Sequence, residues 1–382
     1  MKPTLLRRAA AFCKQEAVLC VAAVLAVASM ALEPPSAAYF GYIDWDTLAM
    51  LFSLMAVMKG FQHAGLFVWL GNRLLRYTNT TRKLLFALVF LPFVCSMVIT
   101  NDVSLITFVP FALIVLHMAG QDWLVVPLVV LQTAAANLGS MLTPMGNPQN
   151  LYLYTRSGMP FGALVGLMLP YVLASAICLA VLIFRCDSAP IAPVSVQSQL
   201  APPRTLAVYA AGFALCLLAL FDVVPTLAVL GVVAVFLLFY DRRVLAAVDY
   251  ALLGTFAAFF VFIGNLGAVP AFREFLAGIL AGHVVPVAVL ASQVISNVPA
   301  AVLLSHFTDA WQPLLVGVNI GGAGTPVGSL ASLITLQQFF AVSRVRAMRA
   351  EESASKARFF GMFCAYNFAF LAVLCVACRL LL

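Results

Sequence analysis

Residues 136–150 read ANLGSMLTPMGNPQN, and residues 318–332 read VNIGGAGTPVGSLAS. The two stretches share Asn, Gly, Thr, Pro and Gly in register, so they are copies of one internal repeat. Each lies between apolar runs, and its proline stops a hydrophobic segment from continuing as a regular helix. Two interrupted hydrophobic segments at matching places in the two halves of a chain point to the binding site of a transporter.

The composition places the chain in a lipid bilayer. Hydrophobic residues make up 64% and charged residues 9% of its 382 residues, whereas soluble domains carry about 25% charged residues. We therefore expect an all-α polytopic membrane protein, because a helix satisfies its own backbone groups in hydrocarbon. Most Lys and Arg lie in short loops, so the net charge of +7 does not indicate a nucleic-acid partner. Cys375 and Cys378 lie within one apolar run, which favours packing over metal binding.

The apolar runs predict about nine full transmembrane helices plus two re-entrant hairpins, with two discontinuous helices. The first span covers 16–32 and the second 47–71, and the helix breaks cover 137–150 and 319–329. We divide the chain into an N-terminal span with a periplasmic loop (1–45), a first repeat that forms one transport half (46–184), a cytoplasmic linker (185–204), two scaffold spans (205–248) and a second, inverted repeat (249–382).

Each predicted hairpin consists of two short apolar runs around a polar tip. The first tip is Thr100-Asn101-Asp102, and the second is Ser296-Asn297. A polar turn that faced lipid would leave its polar groups unsatisfied, whereas a turn that lines a protein cavity is tolerated. The same runs could also be pairs of thin spans, and the sequence does not separate the two arrangements.

The charge distribution predicts the orientation. With the N-terminus in the cytoplasm and the C-terminus in the periplasm, seventeen of the 21 Lys and Arg fall on the cytoplasmic side, as positively charged loops do in multi-pass proteins of a bacterial-type inner membrane. This layout places an odd number of spans between the hairpins. The two repeats then have opposite orientations.

The two tips and the two breaks together form the predicted binding site. Helix ends that meet inside a membrane expose N–H groups, which suit an anion, and carbonyl groups, which suit Na⁺. The Ser, Thr and Asn side chains can bind a ligand, and the glycines allow close approach of the backbone. The candidate binding residues are Thr100, Asn101, Asp102, Asn137, Gly139, Thr143, Gly146, Asn147, Asn150, Ser296, Asn297, Asn319, Thr325, Gly328 and Ser329.

Asp102 is the leading candidate for proton coupling. Carboxylates within the membrane are functional by default, and a desolvated acid without a partner favours its protonated form. Asp102 could instead be a ligand for Na⁺, or a helix N-cap. Lys59 could pair with Asp102, attract an anionic substrate or extend to a membrane surface. His63 lies one turn after Lys59 and is a secondary candidate.

These tips and loops resemble the ion-transporter superfamily, which contains arsenite permeases, NhaD-type sodium/proton antiporters, citrate transporters and sodium/dicarboxylate symporters. The resemblance covers about residues 46–382. It implies inverted repeats, a homodimer and elevator-type alternating access. Dicarboxylate symporters carry Ser-Asn-Thr at both tips, whereas the Asn-Asp of the first tip and the Gly-Ser-Leu-Ala at 328–331 are more similar to the proton-driven arsenite-permease branch.

We therefore expect a secondary active transporter for a small anion or organic acid, coupled to H⁺ or Na⁺, with no other cofactor and no metal beyond a Na⁺ site. The alternatives are an NhaD-type Na⁺/H⁺ antiporter, an arsenite efflux permease, and a non-transporting membrane subunit or membrane-embedded enzyme. An enzyme would need a cluster of catalytic side chains, which the apolar segments do not offer. A structural subunit would not need mirrored polar breaks.

Overall fold

The computed structural model describes residues 12–13, 16–192, 194–345 and 349–381, without the side chains of 341–345 and 349–355. Five of the basic residues used for the predicted orientation lie outside the described residues: Lys2, Arg7, Arg8, Lys14 and Arg346.

Seventeen helices of eight residues or more make up the fold, and the described residues contain no strand. In chain order they are α1 (Ala17–Ser29), α2 (Trp45–His63), α3 (Leu66–Leu75), α4 (Thr81–Cys95), α5 (Asn101–Met118), α6 (Val125–Ser140), α7 (Pro148–Ser157), α8 (Phe161–Phe184), α9 (Pro203–Leu220), α10 (Thr226–Tyr240), α11 (Tyr250–Gly267), α12 (Pro270–Leu280), α13 (Val284–Ile295), α14 (Asn297–Leu304), α15 (Trp311–Ile320), α16 (Leu330–Val345) and α17 (Arg349–Leu381).

The helices confirm an all-α polytopic membrane protein. Six helical segments of the described chain are long and apolar enough to cross a bilayer, or eight when two bent helix pairs each count as one span. Three more apolar helices are shorter: α1, α10 and the first part of α16. The division into nine crossings and two re-entrant hairpins stays a prediction.

The second predicted span is not one continuous helix. The sequence places it at 47–71, but the structure has α2 and α3 there, bent by 55°. Gly65 lies between them with φ 75°, a conformation that glycine adopts without the steric cost of a Cβ. The polar residues Lys59, Gln62 and His63 come shortly before Gly65, a signal that the prediction of one continuous span did not use.

The first helix break is shorter than predicted. We expect it to begin at Asn137, but α6 continues through this residue and ends at Ser140. Pro144 explains the position, because the proline ring clashes with the carbonyl four residues before it, which belongs to Ser140. The chain then forms the 3₁₀ turn Pro144–Gly146 and restarts as α7.

The second break is also shorter than predicted, although its helix ends two residues before Gly322, the residue four before Pro326. Helix α15 continues through Asn319 to Ile320, and α16 begins at Leu330 after the 3₁₀ turn Pro326–Gly328. Both asparagines therefore lie in the last turn of a helix and not in the loops. The loops cover 141–147 and 321–329, which corrects the predicted bounds 137–150 and 319–329.

The two repeats are intertwined. Within each repeat the first hairpin helix packs on the broken helix, α4 on α6 and α13 on α15. The second hairpin helix packs on the broken helix of its own repeat and also on the other repeat, α5 on α16 and α14 on α7. Outside this unit, α1 packs on α11, and α9 and α10 pack on α2. The polar breaks are thus enclosed by helices of both repeats.

Candidate functional site

The side chain of Asn319, in the second repeat, binds the loop of the first repeat. Its Nδ2 donates to Asn150 Oδ1 at 2.6 Å, and its Oδ1 accepts from Asn147 Nδ2 at 3.2 Å. Its Nδ2 also donates to Leu315 O at 2.8 Å within its own helix. All three asparagines are buried. Buried amides with partners on another segment fix how the two segments are joined.

The side chain of Asn137, in the first repeat, makes the mirrored contacts. Its Oδ1 accepts from Ser329 Oγ at 2.9 Å, and its Nδ2 donates to Ser332 Oγ at 3.2 Å. An offset of 182 residues relates Asn137 to Asn319, and the same offset relates the two serines to the two asparagines of the first loop. Each broken helix therefore binds the restarting helix of the other repeat through equivalent positions.

The two hairpin tips reach this cluster. Asn101 Nδ2 donates to Asn137 Oδ1 at 3.0 Å. Asn297 lies beside Gly322, where an added Cβ would be 2.9 Å from the Asn297 amide nitrogen. Ser296 is buried and has φ 74°, a strained conformation that costs about 1–3 kcal/mol in residues other than glycine. The surrounding helices therefore hold the second tip in a defined shape.

The first tip differs in detail from the sequence-based expectation. The turn ends at Thr100, which is the N-cap of α5 and accepts from Val103 N at 3.5 Å. Asn101 and Asp102 lie in the first helical turn, and Asn101 Oδ1 accepts from Asp102 N at 3.0 Å. The capping role considered for Asp102 thus belongs to Thr100, because its hydroxyl can reach the free N–H groups of the first turn.

One threonine of each loop attaches that loop to a hairpin. Thr143 Oγ1 donates to Met97 O, and Thr325 Oγ1 donates to Gln293 O at 3.0 Å. Gly146 N donates to Thr143 O at 3.3 Å and so closes the 3₁₀ turn of the first loop. The threonines occupy equivalent places in the two repeats, so both loops are held by the same contact.

The glycines allow the hairpins to approach the broken helices closely. A Cβ at Gly139 would lie 2.8 Å from Ser96 Oγ, and a Cβ at Gly321 would lie 2.6 Å from Ser292 Cβ. A Cβ at Gly328 would lie 2.9 Å from Gly321 O. Side chains at these positions would push the backbones apart.

Asp102 places an acid beside the polar cluster. The residue is half-buried, and its Oδ1 is fully buried without a hydrogen-bond partner in the described part of the chain. Lys59 and Asp249 are near enough to interact with it electrostatically. A buried polar atom without a partner in the protein indicates a bound proton, water or ligand, or strain.

Lys59 contacts the hairpin through an intermediate residue. Its Nζ donates to Gln62 Oε1 at 3.3 Å, and Gln62 Nε2 donates to Thr107 Oγ1 on α5 at 2.9 Å. Among the described residues Lys59 forms no ion pair with Asp102, so the direct pairing considered from the sequence is absent. His63 is exposed at the last residue of α2, and the structure does not bring it to the cluster.

Comparison with known proteins is consistent with this architecture. The family model CitMHS, described as citrate transporter, matches residues 13–316. The chain belongs to this citrate transporter family. The match includes α1 to α14 and part of α15, so it contains both hairpins, the first broken helix and the linker.

Two relatives match this chain over most of their own length. Inner membrane protein YbiR of Escherichia coli is 33% identical over 302 residues, which are 77% of this chain and 80% of that protein. The uncharacterized transporter MJ0456 of Methanocaldococcus jannaschii is 33% identical over 303 residues, which are 78% of this chain and 82% of that protein. The silicon efflux transporter LSI3 of rice matches over a shorter part, 32% identical over 136 residues, 35% of this chain and 27% of that protein.

Membership in the citrate transporter family confirms the resemblance to the ion-transporter superfamily. It also identifies the chain as a membrane transporter, a permease and not an enzyme. It supports a small molecule or ion as the transported substrate.

Sequence reasoning missed three polar residues of the cluster or its surroundings. Ser332 aligns with Asn150 in the internal repeat, so the alignment could have identified it. Gln293 aligns with Met97 when the hairpins are superposed on their Asn residues, and a polar residue within that apolar run was a usable signal. Tyr152 is fully buried on α7, and its hydroxyl lies 2.8 Å from Ser305 Oγ; the sequence around it gives no such signal.

Proposed function

We propose that this permease is a secondary active transporter that moves a small anion or organic acid, a carboxylate or an oxyanion, across the inner membrane. Coupling is to H⁺ or Na⁺, and transport follows an elevator-type alternating-access mechanism. The observation that carries the proposal is the reciprocal hydrogen bonding of Asn137 and Asn319 across the two repeats. A packing kink would not need equivalent polar contacts in both directions.

The helix directions at the cluster favour a negatively charged or oxygen-rich substrate. Helices α5, α7, α14 and α16 all begin there. The first N–H groups of each helix have no partner within the helix, and the helix dipole adds partial positive charge at that end. Asn and Ser amides and hydroxyls can supply further hydrogen bonds to carboxylate or oxyanion oxygens.

Proton coupling is supported by Asp102. A carboxyl group beside the substrate cluster can bind a proton on one side of the membrane and release it on the other. Its Oδ1, which has no hydrogen-bond partner among the described residues, can hold that proton. The carbonyls freed at the breaks are the corresponding candidate for Na⁺.

The elevator mechanism is supported by the division of the packing. The hairpins and broken helices of both repeats form one intertwined unit, which we assign to the moving part. Helices α9 and α10, the two predicted scaffold spans, pack on each other and on α2, and we assign α9 and α10 to the scaffold, which in a homodimer would contact the partner subunit.

A second candidate substrate class is an uncharged inorganic oxyacid that carries several hydroxyl groups. The groups that contact one another in the cluster are neutral amides and hydroxyls, which can exchange hydrogen bonds with a neutral acid without desolvating a charge. One relative is named a silicon efflux transporter, and arsenous acid belongs to the same chemical class. An NhaD-type antiporter, which transports cations alone, is a third alternative.

Flux measurements in proteoliposomes test these proposals. The purified protein would be reconstituted and assayed with citrate, other di- and tricarboxylates, phosphate, silicate and arsenite, under imposed pH or Na⁺ gradients. We expect saturable, gradient-driven flux of one class, lost in Asn137→Ala and retained in Asn265→Ala. Asn265 is a buried amide on α11 that bonds Ser29 and Tyr39. Cation exchange without flux of any panel member would instead identify an antiporter.

A further inference from the structure

The first loop surrounds an amide nitrogen with carbonyl oxygens. Asn150 Nδ2 lies 3.4 Å from Ser140 O, 3.0 Å from Met141 O and 3.2 Å from Thr143 O. Helix α6 ends at Ser140, so Ser140 O and Met141 O have no backbone partner four residues further on. Ser140 O also accepts from Asn147 Nδ2 at 3.4 Å, and Thr143 O accepts from Gly146 N at 3.3 Å in the 3₁₀ turn. Carbonyls freed in an unwound membrane helix are the groups that coordinate Na⁺ in many transporters. In this loop the side chain of Asn150, which is fully buried, occupies that place.

The second loop has a similar arrangement with a different donor, and one of its carbonyls, Ala323 O, is equivalent to Met141 O of the first loop. Gln293 Nε2 donates to Gly321 O at 2.7 Å and to Ala323 O at 2.9 Å. Its Oε1 accepts from Thr325 N at 2.8 Å. The carboxamide of α13 therefore spans the break and satisfies both freed carbonyls and a freed N–H group.

The two repeats supply the carboxamide from different positions: the first from the restarting helix α7, the second from the hairpin helix α13. Asn150 corresponds to Ser332, whose Oγ instead accepts from Asn137. Gln293 corresponds to Met97 by the offset of 196 residues that also relates the hairpin asparagines, and methionine has no N–H to donate. Each loop thus has one carboxamide at one of two equivalent positions. In both loops a carboxamide N–H group therefore faces the carbonyls.

We propose that the carboxamides of Asn150 and Gln293 occupy the carbonyl cages of the two loops in place of a cation, so that both residues determine specificity against Na⁺. An amide NH₂ satisfies the carbonyls without a net charge. A sodium ion would have to displace it and leave a buried amide without partners, which costs free energy. For coupling, the inference rests on the proposed transport function and assigns the driving ion to H⁺.

The test compares thermal unfolding of the purified full-length protein in NaCl and in choline chloride at equal ionic strength and pH 8. We expect the wild-type midpoint to be the same in both salts. In Gln293→Glu, a carboxylate of the same shape faces the carbonyls, so the midpoint should rise saturably with Na⁺ by at least about 2 °C. Gln197→Glu, in the exposed linker, makes the same charge change as a matched control and should not respond.

Gln293→Met provides a second variant. It introduces methionine, the residue at the equivalent position 97 of the first repeat, and leaves Gly321 O and Ala323 O without the donor of Gln293. It should also gain stabilisation by Na⁺. A saturable response to Na⁺ in the wild type would overturn the inference. The inference also fails if every Gln293 variant that folds responds to Na⁺ no more than Gln197→Glu does.

These results are independent of transport. If the salt responses are as expected but no panel compound moves in liposomes, the proposed function fails and the assignment of the cages stands. If transport occurs but the wild type requires Na⁺ for it, the assignment fails and the transport function stands.

Discussion

Replacing Asn319 with alanine removes the side chain that joins the second repeat to the first loop. Asn147 keeps its bond to Ser140 Oγ at 3.1 Å, but Asn150 Oδ1 loses the donor at 2.6 Å. A buried acceptor without a partner costs about 1–3 kcal/mol, whereas hydrogen bonds between membrane helices average about 0.6 kcal/mol. We therefore expect Asn319→Ala to lower the free energy of unfolding by about 2 kcal/mol and to abolish transport.

The assay combines unfolding in mixed micelles with flux in proteoliposomes. In a double-mutant cycle with Asn150→Ala, the coupling energy to Asn319 should be about 1 kcal/mol, because the two side chains share one hydrogen bond. Asn265→Ala loses one buried and one partly buried hydrogen bond from α11 to Ser29 and Tyr39 and serves as the control of similar stability loss. Transport by Asn319→Ala at the rate of Asn265→Ala would refute the reasoning, since the cluster would then only maintain packing.

Three further substitutions address the contacts that the broken helices and their loops make with the hairpins. Gly139→Ala and Gly321→Ala should each destabilise the protein by about 1–3 kcal/mol through overpacking, whereas Gly166→Ala on α8, where a Cβ meets nothing within 4 Å, should be neutral or stabilising; equal effects at all three positions in a thermal unfolding assay would contradict this. Thr325→Val should slow transport and cost about 1 kcal/mol because it removes the loop contact to the hairpin, while Thr335→Val, which loses only a bond within its own helix, should leave the transport rate unchanged.

The internal repeat predicted which elements meet at the site. The shared offset of Asn137 and Asn319, together with the polar hairpin tips, indicates from the residues alone that four interruptions of the apolar pattern belong together. The family confirms the expectation of a transporter. The fold class was likewise accessible from composition, because few arrangements other than helices satisfy backbone groups in a bilayer.

Other features depend on contacts that a linear pattern does not record. Asn137 and Asn319 remain in their helices, where each side chain forms hydrogen bonds with the other repeat. Local helix propensity does not show these contacts. The bend at Gly65 depends on the positive φ of one residue, which the hydrophobic pattern does not record. The role of Gln293 depends on carbonyls nearly thirty residues away, and becomes visible only when the loop geometry is known.

The most direct test of the central claim, proton-coupled transport at the junction of the two repeats, is flux through Asp102→Asn in proteoliposomes. A gradient of one pH unit drives about tenfold accumulation per coupled proton. We predict that Asp102→Asn loses this accumulation but still exchanges labelled for unlabelled substrate without a gradient. Asp187→Asn, in the exposed linker, should behave as the wild type. Accumulation by Asp102→Asn at the wild-type level would contradict proton coupling through this carboxyl group.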